Sequence, residues 1–534
     1  MAGLRLKLAV IFSVLIQLST QRSTVDDDSY VAAVVEYEVG ADVAENIRKY
    51  VQLTRQAASQ GADIIVFPEM TLTRGTYAVS VPIHSLLREH PIPALEPTLF
   101  DEILVTFSNE ARNNKIYVVI NLQERMDCNA SATGEYCPEQ KTYMFNTNVV
   151  FDRTGAVINR YRKIHLFNEF TREPALRPDL GVFTTDFGVT FGHFICFDLM
   201  FQVPAVQIVQ KHNLTDVIFS TMWFSEMPYL TAVQIQESYA YTMNVNFLAA
   251  GANNVLVGSA GSGIYSGKAG ALASVMPGVP TTRLLVYRVP KVPGQVAGSY
   301  PGHIPDDPSS LDSLKLIVDP SLPSHTSRLL TAGSQEFTLV DKEVSCRFRV
   351  TLAERNEYTS VRYRAVVKDG SNRYARQQLA LVACAVVACK TDHLSDCPYR
   401  YTGKENSTDI EDLEIEMTSY AKQYNDTLEC DNIVYYPSSF RTNKFPLRAD
   451  NYDYVINDGN EEIIENEINS GLKARAHIQF QLNIPQSDLV SFAIWGRIYN
   501  KDLLFRNNES LEKDIQAYKT LEEFIYGKQV KKDI

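Results

Sequence analysis

The sequence predicts a layered α/β domain with a mixed sheet, followed by a smaller β-rich domain. Two observations carry this. From Tyr30 to about Arg288, short runs rich in β-branched residues alternate with stretches of helical spacing, and a hairpin signal falls inside the alternation. Then the composition shifts: Pro290, Pro293, Pro301, Pro305, Pro308, Pro320 and Pro323 mark a linker or an extended wrapping segment, and strand patterns dominate beyond it. The boundaries that follow are a leader at 1–23, a first domain at 28–288, a Pro-rich link at 289–330 and a β-rich domain at 331–534.

In order along the first domain, residues 30–39 (YVAAVVEYEV) predict a strand by their β-branched content. Residues 43–59 predict a helix, with Ile47, Val51, Leu53 and Ala57 on one face. Residues 63–67 (DIIVF) form a short buried strand stopped by Pro68, and 115–122 (KIYVVINL) another. Runs 147–151 and 156–161 flank Asp152-Arg153-Thr154-Gly155, a hairpin turn. Strands follow at 189–196, 216–220 and 247–250, with a helix over 231–244. In the second domain the strand patterns fall at 336–341, 345–352, 358–367, 379–388 and 477–482, and acidic stretches at 409–416 and 461–467 read as spacers.

The 534 residues are 45% hydrophobic, and 63 acidic against 51 basic residues give a net charge of −12. That balance excludes nucleic acid or an anionic membrane surface as the main partner, since both need a basic face. Arg5 and Lys7 precede the apolar run 8–18, which is shorter than the roughly 20 residues of a membrane helix and reads as a secretory leader. The polar end GKQVKKDI carries no lipid-anchor pattern. Acceptor triplets at Asn129, Asn213, Asn406, Asn425 and Asn508 agree with a secreted glycoprotein. In an oxidising compartment cysteines pair, and a disulfide between Cys128 and Cys137 would close the loop between them. Cys196 stands apart from the other seven; if it is free, at least one more is unpaired. No C-x-x-C or H-E-x-x-H occurs, so a zinc site is not expected; the expectation for cofactors is none.

Three segments end strands on residues that do proton or covalent chemistry: Phe67-Pro68-Glu69, Arg160-Tyr161-Arg162-Lys163, and Gly192-His193-Phe194-Ile195-Cys196-Phe197-Asp198. Taken singly, Glu69 is a loop carboxylate, Lys163 a solvated lysine and Cys196 a small buried residue. Their order and spacing together resemble the nitrilase superfamily of carbon–nitrogen hydrolases over roughly residues 28–288. The likeness sharpens at FPEM (67–70), RYRKIHLF (160–167), GHFICFDLMF (192–201), MNVNFLA (243–249) and GSGIY (261–265). These motifs are similar to the vanin and biotinidase branch, secreted amidases with an added carboxy-terminal domain. The resemblance implies an αββα sandwich for the first domain, with Glu69, Lys163 and Cys196 as proton acceptor, proton donor or oxyanion stabiliser, and nucleophile.

Residue chemistry fits that assignment. A thiol of ordinary pKa about 8.5 becomes a thiolate readily only if a cation or helix amino terminus lowers that value, and Lys163 can supply the charge. Glu69, shielded by the apolar run 64–67, can take the thiol proton, give it to the leaving amine and then activate water. The Lys163 ammonium and the Phe197 N–H are the expected oxyanion donors. Glu169 and Glu173 are both candidates to orient the lysine, or are surface carboxylates; Trp223 is a candidate pocket wall, or core. A Cys–His scheme is the enzymatic competitor: His193 points to the opposite face from Cys196 on a strand, leaving His165 and His212. The stretch Gly258, Gly261, Gly263, Gly267 lacks phosphate-loop spacing and reads as a loop at the substrate mouth. The resemblance implies a small-molecule amide substrate, pantetheine first and biotinyl amides second. A non-catalytic secreted binding glycoprotein is the alternative from another class, and oligomeric state is open.

Overall fold

The computed structural model describes residues 22–40, 42–73, 75–82, 90–128, 141–176, 181–307, 312–354, 361–375, 377–401, 408–457 and 475–502. In chain order, the first region contains β1 (Ser29–Glu38), α1 (Val43–Ser59), β2 (Ile64–Val66), α2 (Glu102–Asn114), β3 (Tyr117–Asp127), β4 (Thr142–Phe151), β5 (Val157–Arg162), β6 (Val182–Thr184), β7 (Thr190–Ile195), β8 (Asp216–Thr221), β9 (Glu226–Met227), α3 (Ala232–Met243), β10 (Asn246–Asn253), β11 (Ser262–Ser266), β12 (Ala271–Val275) and β13 (Arg283–Pro290). One sheet runs β13-β1-β2-β3-β4-β5. The second runs β6-β7-β8-β10-β11-β12, and the two join where Tyr37 and Glu38 pair with Ala252 and Asn253.

Periodicity places the layers. On β1, Tyr30, Ala32 and Val34 point inward, against Phe191, Ile218 and Leu248 of the other sheet. Ala33, Val35 and Tyr37 point outward, where α1 and α2 cover them with Tyr50, Leu53, Ile103 and Phe107. Strands buried on both faces need not alternate, which explains the near-continuous apolar run of β1. Helix α3 covers the outer face of the second sheet, completing an αββα sandwich. Asp42 and Asp101 cap α1 and α2 by accepting from Ala44 and Ile103 N–H at 2.9 Å each.

The Pro-rich stretch runs along the first domain. Gly302–His303 (β14) pairs with β12, and Ile317–Val318 (β15) pairs with β9, while Leu314 and Leu322 are buried. Beyond it lie β16 (Thr326–Leu329), β17 (Gly333–Asp341), β18 (Val344–Leu352), β19 (Arg362–Tyr374), β20 (Gln377–Cys389), β21 (Ile410–Tyr420), β22 (Tyr424–Asn425), β23 (Cys430–Asp431), β24 (Ile433–Arg441), β25 (Tyr452–Asn457), β26 (Arg475–Leu482) and β27 (Leu489–Ile498). They build two antiparallel five-stranded sheets, β16-β19-β20-β27-β24 and β17-β18-β21-β26-β25, with a shared apolar core. The first sheet is buried on its other face as well: Ala383, Ala385, Tyr436 and Trp495 join the cluster that contains α3 and the Cys196 segment.

Three expectations change. The acidic stretch 409–416 is no spacer but part of β21: Leu413, Ile415 and Met417 face the core, while Glu414 and Glu416 pair with Arg349 and Arg347 of β18. Only part of the glycine-rich stretch is loop: Gly258 lies in the turn before β11, its carbonyl accepting from Ser225 N–H at 2.9 Å. Gly263 lies within β11, and Gly261 donates its N–H to buried Glu36 at a φ of +130 that disfavours other residues. Helix α2 and strands β24 and β27 were not anticipated. Stretch 461–467 lies outside the described residues.

Among the described residues, disulfides join Cys346 to Cys384 between the two sheets and Cys389 to Cys397, and Cys196 and Cys430 are free and buried. Cys128 is disulfide-bonded; Cys137 lies outside the described residues. Of the acceptor asparagines, Asn213 is exposed and Asn425 half-buried, both in turns or short strands. Asn129, Asn406, Asn508 and the leader fall outside the described residues. Among these residues no helix is long and apolar enough to cross a membrane.

Candidate active site

Chain direction gathers the three segments. Strand β2 ends just before Glu69, β5 just before Lys163, and β7 just before Cys196. Ser220 of β8 donates to the Phe67 carbonyl at 2.9 Å, fastening one sheet to the loop that carries Glu69.

Glu69 is 2% exposed and Lys163 2% exposed, so their contacts operate in low dielectric. Lys163 Nζ donates to Glu69 Oε1 at 2.7 Å and lies 3.2 Å from Glu169. Met222 N–H donates to Glu69 Oε2 at 2.8 Å. Asn146 Nδ2 bridges the two carboxylates, donating to Glu69 Oε1 at 2.8 Å and Glu169 Oε1 at 2.6 Å. Its own Oδ1 accepts from Asn121 Nδ2 at 2.8 Å, and Asn121 Oδ1 accepts from Met70 N–H at 2.8 Å. This relay fixes the carboxylate pair, and no sequence motif had singled out either asparagine. Glu169 is therefore the candidate that meets the lysine. Glu173 instead accepts from Met144 N–H at 2.7 Å, away from the ammonium, because its strand-side position faces β4.

Cys196 opens a short 3₁₀ turn, Cys196–Met200, instead of ending the strand as its pattern suggested. Its φ of +49 lies in the left-handed region, where a non-glycine residue is strained. Asp198 holds the turn: its carboxylate accepts from Ile195 N–H at 3.2 Å, His165 N–H at 2.8 Å and Tyr161 Oη–H at 2.8 Å. The lysine and cysteine segments are thus bonded to each other, a role for Asp198 that its place in the motif did not disclose. As the second residue of a turn, Phe197 has an N–H without an intrahelical partner, beside the nucleophile.

Electrostatics correct one expectation. Burial and the Glu69 carboxylate push the Cys196 thiol well above its usual range, and Lys163 only partly offsets them. These influences favour the thiol form, whose Sγ donates to the Met222 carbonyl at 3.6 Å with Glu69 alongside. Burial disfavours the Lys163 ammonium, yet the Glu169 and Glu69 carboxylates outweigh it and hold the group charged. Burial raises Glu169, with Lys163 opposing and Glu69 adding to the rise.

Cys196 faces a pocket walled by Phe167, Phe197, Met200, Trp223, Phe224 and Leu230. Trp223 stands as a wall, its Nε1 donating to Leu230 O at 2.8 Å. Two of the histidines are otherwise engaged: His193 Nε2 meets Asn159 Oδ1 at 2.8 Å, and His165 stacks on Phe201 with Nε2 2.8 Å from Val203 O.

Comparison with known proteins agrees with this architecture. Residues 31–269 match the carbon–nitrogen hydrolase family and residues 314–502 the vanin C-terminal domain. The chain is similar to Vanin-like protein 2 of Drosophila melanogaster, 32% identical over 92% of this chain and 93% of that one. It is similar to Biotinidase of Takifugu rubripes, 29% identical over 72% of this chain and 84% of the other. Pantetheine hydrolase VNN2 of Homo sapiens is 29% identical over 73% of this chain and 78% of its own.

Proposed function

Since the chain belongs to the carbon–nitrogen hydrolase family and carries its vanin-type second domain, we propose that it is a secreted amidase that cleaves pantetheine to pantothenate and cysteamine through a thioester on Cys196. The observation that carries the reading is the closed contact set of Lys163 with Glu69 and Glu169 beside a strained, buried cysteine turn.

The steps follow from the geometry. Cys196 Sγ attacks the amide carbon while its proton passes to Glu69, because a thiol held above its usual range ionises only as it reacts. The carbonyl oxygen takes the electron pair. An ammonium has three N–H groups; Lys163 commits two to Glu69 and Glu169 and offers the third to the oxyanion, opposite Phe197 N–H. Collapse breaks the C–N bond as Glu69 returns its proton to the leaving amine. Water then attacks the thioester carbon as Glu69 takes one of its protons; collapse breaks the C–S bond, Glu69 returns that proton to Cys196 Sγ, and the acid departs. Glu169 and Asn146 keep both lysine and base in place throughout.

Support for the substrate is the likeness to a pantetheine hydrolase; the likeness to biotinidases favours biotinyl amides as the second reading. Secretion and glycosylation are supported by the disulfides and by the exposed turn that carries Asn213, while Asn425 is half-buried in β22. Incubation of the purified protein with pantetheine and with biocytin decides the substrate: release of cysteamine is expected, and release of lysine alone would transfer the assignment to biotinyl amides. Turnover of neither amide would favour a binding glycoprotein.

A further inference from the structure

The pocket before Cys196 is not closed by the first domain alone. Its walls are apolar except for two side chains, Glu226 of β9 and Tyr374 at the end of β19. Tyr374 comes from the second domain, and Ile317 of the wrapping segment lines the pocket between them, held by the pairing of β15 with β9. Tyr374 Oη–H donates to Glu226 Oε1 at 3.2 Å. Asn372 Nδ2 donates to Tyr374 Oη at 3.2 Å and to Asp319 Oδ2 at 2.9 Å, and Lys368 Nζ donates to Asn372 Oδ1. A chain of hydrogen bonds thus runs from the second domain's hairpin to one carboxyl in an otherwise greasy cleft. Such placed polar groups in an apolar pocket fix a ligand's orientation and set its specificity. None of these residues takes part in the Glu69–Lys163–Cys196 contacts.

We propose that Glu226 and Tyr374 form an acyl-recognition subsite, and that the amide cleaved at Cys196 carries an uncharged hydrogen-bond donor of the hydroxyl type on its acyl side. This rests on the amidase reading of Cys196. The acyl side is assigned because the acyl group stays bonded to Cys196, which lines the pocket with Glu226, whereas the amine departs toward Glu69, which does not line it. Tyr374 occupies Glu226 Oε1, which leaves the second oxygen to accept from a donor on the ligand. Burial and the nearby Asp319 raise Glu226 to about 7, so near neutrality an uncharged partner suits it better than an ion among apolar walls. A carboxylate tail would also meet Glu226 itself, with Asp319 close behind.

The test uses the full chain and amides of 2-aminoethanethiol that differ only in the acyl tail: an ω-hydroxyacyl amide and its alkyl counterpart of equal length. The wild-type ratio of kcat/KM favours the hydroxyacyl amide. Glu226→Leu, which removes the acceptor, lowers that ratio at least about tenfold, as expected for a hydrogen bond to a carboxylate. Glu226→Gln, which keeps an acceptor oxygen, restores most of it, and Tyr374→Phe lowers it about threefold, the weight of one neutral hydrogen bond. An unchanged ratio in Glu226→Leu, or equal losses on both amides, overturns the subsite while leaving the amidase reading intact. If the wild-type protein hydrolyses neither amide and Cys196 is never acylated, the amidase reading falls and the subsite with it.

Discussion

Between the sheets of the second domain lie Phe348, Val350, Val382, Ile415 and the stacked pair Phe480–Phe492, with Cys346 and Cys384 bonded across them. Beneath Cys196 an interior equally closed to water instead holds Glu69, Lys163, Asn121 and Asn146, with Glu169 at its edge. The first arrangement gains from every apolar contact and tolerates repacking of similar volume. The second is tolerable only while each charge keeps its partners, since removing one leaves an uncompensated ion at a cost of roughly 3–5 kcal/mol. The difference locates the chemistry. One region is built for stability; the other holds the groups we propose for catalysis. The two are not isolated, because Arg497 of β27 donates to the Met200 carbonyl at 3.0 Å, so the second domain also braces the turn that carries Cys196.

The comparison breaks first at the charged cluster. Glu69→Gln should cut kcat/KM by at least roughly 10²–10⁴-fold, as expected when a general acid–base group is lost. Lys163→Ala should cost at least roughly 10²–10³-fold as an oxyanion donor, and lower the melting temperature as well, because Glu69 and Glu169 are then buried unpaired. Steady-state kinetics with calorimetry checks both. A mild Glu69→Gln with a crippled His165→Ala would return the site to the Cys–His scheme.

Asn146→Ala sharpens the comparison at smaller scale. Losing one donor shared by two carboxylates should reduce kcat by roughly 10–10²-fold, while KM, set by the apolar pocket, changes little. A rise in KM with kcat intact would show that Asn146 binds substrate instead of positioning the base. In the second domain the expected effect reverses. Replacing Cys346 and Cys384 together by Ser should cost roughly 2–5 kcal/mol of stability with kcat retained at temperatures where the chain stays folded. A loss of kcat without a loss of stability would deny the division between the two regions.

The smallest effect concerns pH. Burial pushes Glu237 of α3 up to about 8, and burial pushes His303, 3.3 Å from its Oε2, down to about 3. Near neutrality the pair is uncharged. The protonated carboxyl favours the fold; that contribution is complete below the ordinary value of 4.5 and lost as pH rises through about 8. The histidine acts oppositely, its contribution being lost as pH falls below 6.5. Above that value only Glu237 of this pair titrates, so the melting temperature should fall toward pH 8.5, and less steeply in Glu237→Gln. Differential scanning calorimetry across pH 6.5–8.5 reads the slope, and equal slopes would remove Glu237 as its cause.

Much of the fold was legible where a pattern had one cause. The bounds of strand β1 and helix α1 match their sequence patterns almost to the residue, although α1 buries Asn46, Tyr50 and Thr54 beside Leu53 and Ala57, with Ile47 and Val51 only half-buried. Strand β21 was hidden because its outward face carries Glu414 and Glu416, a charge run that reads as a spacer until Arg347 and Arg349 stand beside it. Strand β27 sits on a sheet covered on both faces, so its sequence lacks the alternation that announces a half-buried strand. At the site, Glu69, Lys163 and Cys196 were legible through their order and motifs. Asn146, Asp198 and Glu226 were not, since their roles depend on partners brought near only by folding, from 77 residues away for Asn146 and Glu69 and 148 for Glu226 and Tyr374.

The central claim is that Cys196 carries the acyl group. Acid-quenched protein taken during turnover of pantetheine, digested and examined by mass spectrometry, tests it directly. A pantothenoyl mass added to the peptide containing Cys196 is expected, absent in Cys196→Ala, which should also show no turnover. Hydrolysis persisting in Cys196→Ala, or an acyl group found on any other residue, would contradict it.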